Sequence, residues 1–144
     1  MSNMFSDSAA FNQDISAWDV SNVTNMNSMF AFAKAFNQDI SNWNVSNVTN
    51  MNRMFNYTEQ FNQNISKWNV SKVTNMNRMF YGAKQFNQNI SVWKTTHLKK
   101  ICKIVQYAPS FSYSLTSWNT QNIEDVNIKP YKKHLNSNKC RWGY

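Results

Sequence analysis

Hydrophobic residues recur along the chain with a constant period of 25 residues, and residues that share a position in successive periods form a column. Three columns keep their character in all five periods. They are Trp18, Trp43, Trp68, Trp93 and Trp118; Phe11, Phe36, Phe61, Phe86 and Phe111; and Ile15, Ile40, Ile65, Ile90 and Leu115. A 25-residue unit cannot bury its own apolar side chains, so this pattern predicts an array of units that stack on one another.

The period divides the chain into a five-coil repeat domain, residues 1–128, and a tail, residues 129–144. The predicted coils are 4–28, 29–53, 54–78, 79–103 and 104–128. Because the open ends of a repeat array need covering, we expect the basic, aromatic tail to cap the fifth coil. Too few residues precede Met4 to cover the other end. We therefore expect that end to be exposed, covered by a further domain, or paired end to end with a second copy.

Within each period the apolar spacing changes from helical to strand-like. Val23, Met26, Phe30 and Ala33 share one face of a helix, which predicts a short helix or helical turn over residues 22–32. Ile15 stands between polar neighbours, which predicts a short strand over residues 13–16. The predicted fold class is therefore α/β: a solenoid with one short parallel strand and one short helix or helical turn in each coil.

Asparagine fits this stacking, and the chain has 24 asparagines. Amide side chains can hydrogen-bond to their copies in the next coil, whereas carboxylates at that distance repel each other. The column Asp14, Asp39, Asn64 and Asn89 changes from acid to amide. We therefore expect an asparagine ladder whose composition reflects stacking and requires no ligand.

The repeat MFAFAKAFNQDISNWNVSNVTNM, residues 29–51, resembles the 25/26-residue repeat of bacterial surface proteins of the mycoplasma and Listeria lipoprotein type. That group is related to BspA-like leucine-rich repeats. The resemblance implies a leucine-rich-repeat-like, right-handed solenoid used in adhesion or protein–protein contact at a cell surface or outside the cell. The first residues of the chain carry neither the basic nor the apolar segment of a signal peptide.

Few residues have the chemistry of catalysis or metal binding. His97 and His134 are the two histidines, and neither belongs to a repeated column. A zinc site formed by Cys102, His134 and Cys140 would have an unusual spacing and no fourth ligand. Two glycines cannot form a glycine-rich phosphate loop. We therefore expect no enzyme, no catalytic residue, no cofactor and no metal.

Charge is distributed unevenly along the chain, whose net charge is +8. Residues 1–53 carry four acids and two bases, a net charge of −2. Residues 54–144 carry three acids and thirteen bases, a net charge of +10. The clusters in coil four and the tail include Lys94, Lys99, Lys100, Lys103, Lys132, Lys133 and Arg141. They define an alternative function, a basic module that binds nucleic acid or another polyanion, which we rank below a protein partner.

Columns that change chemistry from coil to coil identify candidate partner-binding residues, since buried columns cannot vary so freely. These residues are Lys67, Tyr57, Tyr81 and Tyr107. Exposed tyrosine is a common contact residue in protein interfaces. The sequence thus favours a non-enzymatic repeat scaffold for protein–protein or cell-surface binding, with a structural fragment of a longer array as a further alternative. No apolar run approaches the roughly 20 residues of a membrane-spanning helix.

Overall fold

Successive coils are joined by rows of backbone hydrogen bonds in the structure, a computed structural model that describes residues 1–124. In the turn at residues 27–32 and just before it, alternate N–H groups donate to carbonyl groups 24 residues further along the chain. Met26 donates to Asn50, Ser28 to Asn52, Phe30 to Met54 and Phe32 to Asn56, at 2.7–2.9 Å, which joins this turn to the turn at residues 52–57. The same row joins the other coils. The 25-residue period is therefore the stacking period.

Regular secondary structure is nearly absent from these residues. Residues 1–124 contain no helix, and their only β pairing consists of isolated parallel bridges. The bridges join Asn25 to Asn50, Asn50 to Asn75 and Asn75 to Lys100. The prediction of an α/β, leucine-rich-repeat-like solenoid, with a strand and a helix in each coil, is therefore wrong.

The segment predicted to be helical, residues 22–32, makes two bends and does not form a helix. Ser28 and Phe32 have φ of +53° and +61°, a left-handed conformation that interrupts an α-helix. A helix would bond each N–H to the carbonyl four residues earlier. Here the N–H groups of Ser28 and Phe32 donate to the next coil, and Met29 donates within its turn to Met26 at 3.2 Å. Spacings of three and seven residues fit this turn as well as a helix.

Polar side chains take the place of a strand ladder in the segment predicted to be a strand. The Asp14 carboxylate accepts a hydrogen bond from the Ser16 N–H at 2.9 Å, which bends the chain. The Asn12 side-chain oxygen accepts from the Asn37 N–H of the next coil, also at 2.9 Å. Coils are thus joined here by a side chain, where a strand would use backbone carbonyls.

Amide side chains also bond directly between coils, as expected for an asparagine ladder. Asn52 Nδ2 donates to Asn27 Oδ1 at 2.8 Å. Gln38 Nε2 donates to both the backbone and side-chain oxygens of Asn12 at 3.0 Å. These bonds hold the polar surface of each coil in register with its neighbour.

Two stacks of phenylalanine rings form the centre of the core. Within one coil the rings of Phe30 and Phe36 are 4.0 Å apart, and Phe30 lies 5.6 Å from Phe55 in the next coil. Each interior tryptophan packs beside this stack and donates a buried hydrogen bond backwards, as Trp43 does to the Ile15 carbonyl at 3.2 Å. The predicted cap, residues 129–144, and the end of the fifth coil lie outside the described residues.

Candidate protein-binding surface

One row of aromatic side chains runs along the outside of the stack, across coils two to five. We call it the aromatic row; it consists of Phe32, Tyr57, Tyr81 and Tyr107. Neighbouring ring centroids are 5.2, 5.4 and 5.1 Å apart. The first pair is stacked, and the two following pairs meet edge to face. Such pairs stabilise one another beyond the area they bury, so the row holds a defined shape.

The turn that replaces the predicted helix positions this row. Phe32, Tyr57 and Tyr107 each end such a turn with a positive φ of +54° to +61°. Gly82 occupies the same column in coil four, with φ +71°, and the Tyr57 ring lies directly over it. A Cβ at Gly82 would be 2.5 Å from a Tyr57 ring carbon. The missing side chain makes room for Tyr57, and Tyr81 supplies the ring for this coil.

The aromatic row is open to solvent, most of all at its ends. Phe32 is 40% exposed and Tyr107 is 63% exposed. Tyr57 and Tyr81 are half-buried between them. An exposed series of large rings across four coils is unusual for a surface that serves only to face water.

A positive charge lies against the middle of the row. The Arg78 guanidinium carbon is 5.8 Å from the Tyr81 ring centroid, within the range of a cation–π contact. Burial, followed by the neighbouring Tyr57 and Tyr107, raises the pKa of the Tyr81 hydroxyl, and Arg78 opposes this shift. Tyr81 is therefore neutral at physiological pH and can donate or accept a hydrogen bond through its hydroxyl.

The structure brings together three of the four predicted partner-binding residues. Tyr57, Tyr81 and Tyr107 are consecutive members of the aromatic row. Lys67 is exposed, but it belongs to a different turn of the coil, at residues 66–67. The row also includes Phe32, which belongs to one of the variable columns that the sequence predicts to be exposed.

The residues of the alternative polyanion site are only partly described. Lys94, Lys99 and Lys100 are exposed, whereas Lys103 is half-buried. Lys99 pairs with Glu124 at 3.2 Å. The other three residues of that prediction, Lys132, Lys133 and Arg141, lie outside the described residues.

Sequence reasoning missed a column of cations in the same turn as the aromatic row. This cation row consists of Arg53, Arg78 and Lys103, which follow Ser28 in one column and share its positive φ of +53° to +57°. The column is visible in the sequence as three consecutive basic residues. A helix would also bring these cations close to the tyrosines three or four positions later, so the sequence held this signal as well.

The other reactive side chains form no site in the part of the chain that the structure describes. There, no three His, Cys, Asp or Glu residues come together to hold a metal ion. Cys102 is disulfide-bonded, and the His97 Nδ1 lies 2.7 Å from the Ser71 carbonyl oxygen. Residues 1–124 also include no helix of the length and hydropathy needed to cross a bilayer.

A family model described as a Mycoplasma protein of unknown function, DUF285, matches the chain twice, over residues 1–72 and 40–142. The chain belongs to this family. Membership agrees with the mycoplasma part of the resemblance seen in the repeat and does not support a relation to BspA-like leucine-rich repeats. Comparisons with curated proteins and with solved structures found no match.

Proposed function

We propose that this DUF285 chain is a non-enzymatic scaffold that binds another protein through the aromatic row. The observation that carries the proposal is the continuous contact of four rings, two of them at least 40% exposed, across four stacked coils. Tyrosine and arginine are enriched in the residues that dominate binding energy at protein interfaces. Here Arg78 lies beside Tyr81 at the centre of the row.

The rigidity of the row supports this function. The rings of Phe32, Tyr57 and Tyr81 are attached to turns whose backbone is bonded to the next coil; for example, the Tyr57 N–H donates to the Tyr81 carbonyl at 2.7 Å. A surface that is ordered before binding loses little conformational entropy when a partner arrives. Adhesion at a cell surface is the more specific form of the proposal, and it draws on the resemblance to surface repeats.

A display experiment tests the proposal even while the partner is unidentified. Peptides displayed on phage are selected for binding to the unaltered chain. The affinity of the selected peptides is then measured for the unaltered chain, for Tyr107→Ser, and for a triple variant that also carries Tyr57→Ser and Tyr81→Ser. We expect the triple variant to lose at least about tenfold in affinity, as typical interface anchors do.

The matched control is Tyr113→Ser, which removes an exposed tyrosine outside the aromatic row. Tyr113 is 41% exposed and contacts Phe111 at 6.1 Å. Binding by the selected pool should be unchanged in this variant. A pool that bound the triple variant as well as the unaltered chain would overturn the proposal.

Salt dependence separates this function from the polyanion alternative. Retention on heparin or DNA beyond moderate salt, abolished by replacing Lys94 and Lys100, would favour a basic module. Ring-dependent binding that changes little between low and moderate salt would favour the protein scaffold.

A further inference from the structure

The cation row accompanies the aromatic row along the stack. Arg53, Arg78 and Lys103 take the second position of the turns at residues 52–57, 77–82 and 102–107. The rings of Tyr57 and Tyr107 end the first and last of these turns. Every coil from three to five thus presents a ring on the outside of the stack within a few residues of a cation.

Charges alternate in sign within a second column but not within this one. In the column of Lys34, Glu59 and Lys84, the acid pairs with Lys84 at 2.7 Å and with Lys34 at 3.8 Å. The cation row instead places like charges in three consecutive coils. An anionic partner that spans the coils would meet a cation in each of them.

Ring geometry distinguishes a protein partner from a nucleic acid. Single-stranded nucleic acids bind by stacking successive bases on aromatic faces. In the aromatic row, Tyr57 and Tyr81 meet at 73°, and Tyr81 and Tyr107 at 89°. Two perpendicular junctions prevent the three rings from offering parallel faces. Their edges and hydroxyls suit apolar side chains and backbone groups of a polypeptide.

Guanidinium groups can bind a ring and an acid at the same time. The face of the group packs on an aromatic ring, while the N–H groups at its edge donate to a carboxylate. Arg78 already has the first contact, with Tyr81. If an acidic residue of a partner protein binds the cation row, the residues adjacent to it in the partner's chain lie against the aromatic row.

We propose that the partner is an acidic protein segment whose carboxylates bind Arg53, Arg78 and Lys103 while its apolar or aromatic side chains contact the aromatic row. This inference rests on the proposed function, because it names the class of partner for the same surface. It predicts that affinity requires both acid and ring chemistry in the ligand.

Three polymers of similar charge serve as probes: a random copolymer of glutamate and tyrosine, poly-L-glutamate and an oligothymidylate. Binding is measured by fluorescence anisotropy at one low ionic strength. We expect the copolymer to bind most tightly and the oligothymidylate most weakly. Tighter binding of the oligothymidylate, or no detectable binding of the copolymer, would overturn the inference.

A pair of matched double variants locates the binding. Arg53→Gln with Arg78→Gln removes two charges from the cation row, and Lys67→Gln with Lys94→Gln removes two exposed charges from other turns. The first variant should weaken copolymer binding at least about tenfold, as expected for charge-assisted contacts, and the second far less. Equal losses would mean that binding depends on net charge alone, which contradicts the inference.

The phage-selected peptides keep the two proposals distinguishable. If those peptides depend on the tyrosines but bind the Arg53→Gln, Arg78→Gln variant normally, the surface binds protein and the acidic partner is wrong. If they depend on neither set of residues, the proposed function fails as well. Melting temperatures of all variants should stay close to that of the unaltered chain, which shows that folding is retained.

Discussion

The first coil and the interior coils contain equivalent residues in the same columns but bury them differently. Met4 is 49% exposed, whereas Met29 is fully buried. Trp18 is 40% exposed, whereas Trp43 is 4% exposed. The difference shows that the apolar columns are buried by contacts between coils, since the sequence of a coil does not bury them on its own.

The tryptophan column shows that each tryptophan after the first contacts the preceding coil. Each interior tryptophan donates its indole N–H to the isoleucine carbonyl of the preceding coil, as Trp68 does to Ile40 at 3.1 Å. Trp118 is only 2% exposed; its ring stacks on Trp93 of coil four at 6.1 Å, and its indole N–H donates to the Ile90 carbonyl at 2.9 Å. Trp18 has no preceding coil among the residues that the structure describes.

The bonds between coils are also directional. In the first coil, the N–H groups of Phe5 and Asp7 donate forward to Met29 and Ala31 of coil two. By the same register, the carbonyls of Ser2 and Met4 face away from coil two. The end-to-end self-association that the sequence suggests at the N-terminal face stays a prediction.

Truncating a buried phenylalanine should give the largest difference in the free energy of unfolding between an interior coil and the first coil. Phe55 is fully buried, 4.0 Å from Phe61 and 5.6 Å from both Phe30 and Phe80. Phe55→Ala should lower the free energy of unfolding by about 3–5 kcal/mol, measured by urea denaturation.

The matched variant in the first coil is Phe5→Ala. Phe5 stacks on Phe11 at 3.8 Å but is only half-buried, so we expect a loss of roughly 1–2 kcal/mol. Similar losses in the two variants would show that the first coil is stabilised as strongly as an interior one, and would remove the contrast.

A smaller contrast is expected for the tryptophan column. Trp68→Phe removes the buried hydrogen bond to the Ile40 carbonyl and part of the packing, and should lower the free energy of unfolding by about 1–2 kcal/mol. Trp18→Phe should change it by less than about 0.5 kcal/mol, the usual range for surface substitutions. Both are measured by the same urea titration. An equally large effect at Trp18 would contradict the difference in burial between the two tryptophans.

The period and the buried columns could be predicted from the sequence, but the backbone path could not. Columns of Phe and Trp identify the core because burial restricts which residues can occupy them. Val23, Met26 and Phe30 gave no means of separating a helix from the observed turn, since both place residues three and four apart on one side. The left-handed residues that decide the matter, such as Arg53 and Tyr57, are not glycines and carry no local signal for positive φ. The aromatic row was found because its columns vary in chemistry, whereas the cation row was missed because its column stays basic in three successive coils.

The smallest predicted effect is a loss of stability at acid pH, and it arises in coils one and two but not at the equivalent positions of coils three and four. Hydrogen bonds from the Ser16 N–H and then its hydroxyl hold the pKa of Asp14 below its ordinary value of 3.8. Asp39 is shifted in the same direction by Ser41. In the later coils Asn64 accepts the equivalent bond from the Ser66 N–H at 3.1 Å, and an amide does not titrate.

A lowered pKa in the folded state stabilises the fold above the ordinary pKa, and this stabilisation is lost as the pH falls through the folded value. We therefore expect a small fall in melting temperature below about pH 4. Asp14→Asn with Asp39→Asn should flatten this dependence, because the amides keep the turns at every pH. Asn64→Asp with Asn89→Asp should steepen it by adding titrating groups to the same column. Both pairs are compared by thermal melts between neutral pH and about pH 2.5. An unchanged acid dependence in both pairs would mean that these turns contribute nothing to stability, and that coils one and two differ from the later coils only in the charge they display.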